Sequence, residues 1–264
     1  MQETRIVVLG DVFGDTGRKT LAKTMPEIVE KYQPDWIIAN GENISGGNGI
    51  SKKHANFLLQ IGVDVITTGN HLFARNDWQE VTASVKNILR PHNMLPDNFP
   101  SKGIKRFSKE GKQDIQVMNL CGRVFMEPCF CPFQTFDRLF AELDSSVPLI
   151  VDFHAEATSE KQAFGWHAAG RASAVYGTHT HVQTSDARII TSNGRNTAFI
   201  TDIGMTGSRD GIIGVDRDTI IDRFLGGYSD RFTAGDLPGK AEGAFFLIDG
   251  SGAVQTESFR FFAF

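Results

Sequence analysis

Several things are scarce in this chain of 264 residues, and each scarcity closes off a class of protein. Cysteine occurs three times, at Cys121, Cys129 and Cys131. An odd, clustered trio makes no disulfide framework, and no further ligands at regular spacing stand beside it to build a metal cluster. Reduced thiols are expected. Long apolar runs are missing, since no stretch approaches the ~20 residues that cross a bilayer. Asp11 and Asp15 interrupt the first apolar run, so there is no signal-peptide pattern and the cytoplasm is the expected location. Excess positive charge is lacking too: 27 Lys and Arg stand against 31 Asp and Glu, a formal charge of −4. That argues against an extended nucleic-acid-binding surface but leaves room for a small nucleotide in a pocket. Tryptophan and tyrosine number three each beside 21 phenylalanines, so the core is expected to be Phe-rich. Ser45-Gly46-Gly47-Asn48-Gly49 lacks the Gly-Lys-Ser/Thr ending of a P-loop. It reads as a turn that lets backbone pass close to a site.

What is present is alternation. Strand-like runs at 4–9, 36–39 and 63–67 are separated by helical patterns at 18–32 and from Ser51, a candidate cap, to Ile61. The stretch 91–112 is an irregular excursion with one short strand at 103–108. Strands at 114–119, 148–153 and 172–177 and helices at 133–143 and 160–168 continue the rhythm, which implies a partly parallel α/β sheet. Farther on, Ser192-Asn193-Gly194-Arg195 and Asp249-Gly250-Ser251-Gly252 mark hairpins on either side of a short helix near 216–225. A single domain spanning 1–264 with two packed sheets is expected.

Five of the apolar runs end in a residue that can bind a metal. RIVVLG leads into Asp11, WIIANG into Glu42-Asn43, VDVITTG into Asn70-His71, PLIVDF into His154, and SAVYGT into His179 with His181 two residues on. In open α/β sheets the carboxyl ends of the strands are where ligands bind. Asp11 and Glu42 offer carboxylates, Asn43 and Asn70 amide oxygens, and His154, His179 and His181 imidazoles. Seven such groups exceed the four positions of one zinc site and suit two divalent ions sharing a carboxylate. Two such ions and two carboxylates leave a net positive centre for an anionic substrate, the electrostatics of two-metal phosphoester hydrolysis. The donor mix fits Fe, Mn, Zn or Ni better than Ca or Mg. If Gly177-Thr178-His179-Thr180-His181 is extended, its two imidazoles face one side. His71, adjacent to Asn70 but diverging from it, is free to protonate a leaving alkoxide. Arg90, Arg123 and Arg171 are candidate phosphate partners, each set against a structural or surface role. His54 and His167 read as structural or solvated, and His92 is assigned to neither group.

GNH at 69–71, the strand-end His154 and GTHTH at 177–181 resemble the calcineurin-like metallophosphoesterase superfamily. GDVFGDTGR (10–18), NGEN (40–43), DFHAEATSEK (152–161), GTHTHVQT (177–184) and DIGMTG (202–207) look like its YmdB-like branch. The resemblance implies a four-layer αββα fold and a dinuclear site, with Fe or Mn the foremost metals. One ion would be held by Asp11, Glu42, Asn43 and His181, the other by Glu42, Asn70, His154 and His179, with Glu42 bridging and His71 as general acid. A homo-oligomer is also in keeping with it. The wider superfamily has Asp-x-His where this chain has Asp11-Val12-Phe13, and a bridging Asp where it has Glu42. The acidic residue that often follows GNH is replaced by Leu72-Phe73-Ala74, which leaves open what orients His71. The expected function is hydrolysis of small phosphodiesters, including 2′,3′-cyclic nucleotides, by a metal-bound hydroxide. The rivals are a phosphomonoesterase or nucleotidase, and a regulatory nucleotide-binding protein with weak turnover.

Overall fold

The computed structural model describes residues 3–99, 101–228 and 232–264. The first half contains β1 (Thr4–Leu9), β2 (Asp11–Val12), α1 (Gly14–Tyr32), β3 (Trp36–Asn40), α2 (Lys52–Gln60), β4 (Val65–Thr67) and α3 (Trp78–Ser84). The middle contains β5 (Ile104–Phe107), β6 (Ile115–Cys121), α4 (Pro132–Phe140), β7 (Leu149–His154), α5 (Thr158–Ala168) and β8 (Ala174–Thr178). The last part contains β9 (Arg188–Ser192), β10 (Arg195–Ile200), β11 (Met205–Ser208), α6 (Arg217–Phe224), β12 (Gly239–Asp249) and β13 (Gly252–Ala263). Among the described residues no helix is long and apolar enough to cross a membrane.

The two packed sheets expected from the sequence are hydrogen-bonded to each other. Hydrogen bonding runs unbroken in the order β4-β3-β1-β12-β13-β10-β8-β7-β6-β5, one large curled sheet. The C-terminal hairpin joins its halves: β12 pairs along β1, while β13 meets β10 at a single pair, Asn196 with Gly252. Strand alternation explains how both faces are buried. Val7 and Leu9 of β1 point to a core under α1 and α2 with Leu21, Ile28 and Leu58. Ile6 and Val8 point the other way, into a core shared with Val117, Ile150 and Tyr176 of the second half. On that half's outer side, Val151 and Phe153 pack with Phe136 of α4 and Phe164 of α5.

Local signals account for much of this. Ser51 caps α2 by accepting from His54 N. Asn193 and Gly194 take φ of 50° and 72°, the left-handed pair that a two-residue hairpin turn requires. The short strand expected at 103–108 appears as β5, although Pro100 in the same excursion lies outside the described residues. α1 begins four residues earlier than expected, at Gly14, because the glycine-bearing GDTGR segment is already helical.

Candidate metal centre

Parallel pairing sets the carboxyl ends of β1, β3 and β4 on one edge, and those of β6, β7, β8 and β10 on another. The two edges meet. Glu42 Oε1, after β3, lies 3.3 Å from His154 Nε2 at the end of β7. Asp11 Oδ1, just after β1, lies 3.8 Å from His181 Nε2, beyond β8.

His154 Nε2 is the hub of one group, with His179 Nδ1 at 3.0 Å and Asn70 Oδ1 at 3.2 Å. Ligand atoms of Glu42, His154 and His179 all lie within 4.8 Å of one another. In the adjoining group, Asn43 Nδ2 stands 3.1 Å from both Glu42 Oε1 and His181 Nε2. Glu42 touches both groups.

Each imidazole gives its other nitrogen to a partner outside the cluster. Thr178 Oγ1 donates its only hydrogen to Asp152 Oδ1 at 2.7 Å, so it accepts from His154 Nδ1 at 2.9 Å and leaves the Nε2 lone pair facing inward. His181 Nδ1 donates to the Ile213 carbonyl at 2.7 Å. His179 Nε2 lies 3.2 Å from Glu156 Oε2. Outer partners of this kind fix the tautomer and ring orientation of metal-binding histidines. Glu156, Asp152 and Thr178 sit in the motif blocks, but only the fold reveals their tasks. Glu127, which accepts from Asn70 Nδ2 at 3.1 Å and so turns Asn70 Oδ1 inward, has no sequence signal.

The electrostatics agree with that orientation. Burial pushes the Asp11 carboxyl up. Burial would raise Glu42 as well, but His154, His71 and His179 outweigh it and hold it down to about 2. Burial opposes charge on His154, yet Glu42, Asp11 and Asp152 carry it up to about 9. Burial and the neighbouring His154 push His179 down to about 3. A divalent ion on His154 Nε2 would take the place of that proton.

Two further observations fit an ion. Asp11 Oδ1 is buried with no hydrogen-bond partner. Gly69 leaves a cradle that a methyl group would fill, overlapping Glu42 Oε2 and His154 Nε2. The extended reading of the GTHTH segment, however, is wrong. His179 and His181 have φ of 102° and 63°, left-handed backbone that side-chain-bearing residues seldom adopt. Their rings converge because the chain turns, not because it alternates.

His71 stands beside the cluster with its side chain 41% exposed. Its Nδ1 lies 2.7 Å from Asn43 Oδ1, and its backbone N–H donates to Glu42 Oε2 at 3.1 Å. Asn43 is therefore what orients it. As placed, the amide gives its oxygen to His71 and its nitrogen to Glu42 and His181; ligation of an ion through Oδ1 requires the rotated amide.

Arg90 and Arg171 are engaged away from the cluster. Arg90 is buried, and its guanidinium donates to the carbonyls of Pro91, His92, Pro96 and Ser101. Arg171 binds Asp137 and the His167 carbonyl, bracing α4 against α5. Arg123 is exposed. A cavity of about 680 Å³ opens beside the cluster, bounded by Glu42, His71, His179 and His181 and by Phe13, Ile213, Val215 and Phe232. Among the described residues no lysine or arginine lines it. His54 binds Ser45, His167 binds Asp137 and His92 binds Asp97, none of them in the cluster.

Comparison with known proteins agrees with this geometry. The profile of YmdB-like proteins matches residues 7–258. The chain is 46% identical over 246 residues to a 2′,3′-cyclic-nucleotide 2′-phosphodiesterase of Bacillus subtilis, covering 93% of this chain and 91% of that one. It is 34% identical to a putative phosphatase/phosphodiesterase of Mycoplasma pneumoniae, over 98% of this chain and 94% of the relative. Two crystal structures superpose closely. A novel phosphatase from Mycoplasma pneumoniae gives a TM-score of 0.90 at 34% identity, over 99% of this chain and 94% of that one. A hypothetical protein from Thermus thermophilus gives 0.89 at 34% identity, over 98% and 100%. The chain belongs to the YmdB-like family.

Proposed function

We propose that this chain is a dinuclear metal-dependent phosphodiesterase that hydrolyses small phosphodiesters, 2′,3′-cyclic nucleotides among them. The observation that carries the reading is the meeting of Asp11, Glu42, Asn70, His154, His179 and His181 at two strand edges, with His71 exposed beside them. The activity in the name of the Bacillus subtilis relative supports it. In this reading Glu42, Asn70, His154 and His179 would hold one ion, and Glu42, Asp11 and His181 would hold the other. Asn43 stands beside the second set with its oxygen committed to His71. Imidazole, carboxylate and amide donors suit Fe or Mn, with Zn or Ni as the other candidates.

Bound divalent ions supply a deprotonated water near neutral pH and positive charge against the phosphoryl oxygens. The protein supplies the rest. An Asn43 carbonyl can only accept, so His71 keeps hydrogen on Nδ1, and as the imidazolium it hands its Nε2 proton to the departing ribose oxygen and returns to the neutral Nδ1–H form. The cavity has the size of an ordinary small-molecule pocket, roughly 300–1,000 Å³, and its apolar wall excludes water from the nucleoside. Among the described residues of that wall, the positive charge that answers the phosphate would come from the ions of the cluster.

The helices outside each half of the curled sheet, and the core shared between the halves, support a four-layer αββα arrangement within a single domain. Three unpaired thiols suit a reducing cytoplasm. The test is turnover of a 2′,3′-cyclic nucleotide by protein loaded with Mn²⁺, compared with the matching monoester. Faster release of phosphate from the monoester would place the chain among nucleotidases. Tight nucleotide binding without turnover would make it a regulatory binder.

A further inference from the structure

Lys161 and Asp202 belong to conspicuous blocks of sequence, yet neither reaches the cluster. The fold joins them to each other. Lys161 Nζ of α5 lies 2.6 Å from Asp202 Oδ2, just after β10, and both side chains are 1% exposed. The same Oδ2 accepts from Thr180 Oγ1 at 2.7 Å and from Thr180 N at 3.2 Å, and Oδ1 accepts from Gly204 N at 2.8 Å. Burying two charges is costly even when they pair, so the pair is weak evidence for a stabilising role.

Thr180 points to another role. It stands between His179 and His181, the two left-handed residues whose rings enter the cluster. Such backbone persists only where its surroundings over-determine it. Asp11 Oδ2 accepts from His179 N at 3.1 Å on one side, and the Ile213 carbonyl holds the His181 ring on the other. Asp202 holds the middle. Gly177 makes room for this approach: a methyl there would overlap the Thr201 carbonyl oxygen and crowd Lys161 Cδ at 3.0 Å.

We propose that Asp202, its charge balanced by Lys161, is a positioning residue that clamps Thr180 and so aims His179 and His181 at the metal centre. The proposal rests on the reading of those histidines as ligands. It touches no substrate and acts only through the turn.

Mn²⁺ titration calorimetry and the visible absorption of Co²⁺-loaded protein test it directly. Thr180→Val keeps the β-branched shape and removes the hydroxyl. It should remain folded, lose ~10–100-fold in Mn²⁺ affinity, the usual effect of an outer-partner change, and shift the Co²⁺ bands. Thr180→Ser, which restores the hydroxyl, should recover both. Asp202→Asn combined with Lys161→Met removes both charges together and should match Thr180→Val; if that double variant does not fold, Thr180→Val decides alone. Wild-type affinity and spectrum in Thr180→Val would overturn the clamp and leave the centre intact. Failure of the wild-type protein itself to take up Mn²⁺ would overturn the reading of the centre, and the clamp with it.

Discussion

Asn43 Oδ1 lies 2.7 Å from His71 Nδ1, and this contact decides which atom of the imidazole can move a proton. It also answers the question raised by Leu72-Phe73-Ala74, because the orienting group comes from the β3 edge rather than from the residues after GNH. His71→Ala should leave metal content unchanged and slow a diester with an alkoxide leaving group by roughly 10²–10⁴-fold. An activated nitrophenyl diester, which needs no protonation, should lose far less. Metal analysis and the two rates check this together.

Glu42 faces both groups of candidate ligands, so it should be the least replaceable of them. Glu42→Gln keeps its size but gives up the charge that pairs with His154 at 3.3 Å. The expected outcome is loss of bound metal along with activity, read by elemental analysis of purified protein. Retention of a full metal complement would remove Glu42 from the shared position.

Strand ends and turn chemistry made much of this site legible in the sequence. Asp11, Glu42, Asn70, His154 and His179 follow apolar runs that become β1, β3, β4, β7 and β8. Two kinds of feature were not legible. Short elements such as β2, β11 and α3 are too brief, or too weakly patterned, to announce themselves. Long-range polar partners such as Glu127 for Asn70, or Asn43 for His71, depend on three-dimensional approach rather than spacing. The left-handed turn at His179 and His181 belongs with these, because tertiary contacts override the extended preference of a strand continuation.

Arg90 should prove to be a structural residue. It is buried and donates to the carbonyls of Pro91, His92, Pro96 and Ser101, of which Pro91 and Pro96 also accept from Met94 N and Phe99 N. Arg90→Met removes the donor to the His92 and Ser101 carbonyls and should cost roughly 2–4 kcal/mol of stability. KM for a diester should not change in the protein that remains folded. Denaturant unfolding and steady-state kinetics separate the two effects.

Cys121 and Cys129 should resist alkylation at ordinary pH. Burial pushes Cys129 up to about 11 and Cys121 well above its ordinary value. A raised pKa favours the protonated form, so at pH 8 only ~0.1% of Cys129 is the reactive thiolate. Its labelling by iodoacetamide should rise about tenfold per pH unit between 8 and 10. Cys121 should label only after denaturation. Peptide mass spectrometry at several pH values reads both sites.

The central claim is that the convergence of Glu42, His154, His179 and their neighbours makes a two-ion phosphodiesterase. One experiment tests it most directly: protein titrated with Mn²⁺ is incubated with a 2′,3′-cyclic nucleotide while bound metal, nucleoside monophosphate and inorganic phosphate are followed. The expected result is turnover that rises with occupancy to two ions per chain, with nucleoside monophosphate accumulating and little free phosphate. Full occupancy without turnover, or maximal turnover in metal-free protein, would contradict it.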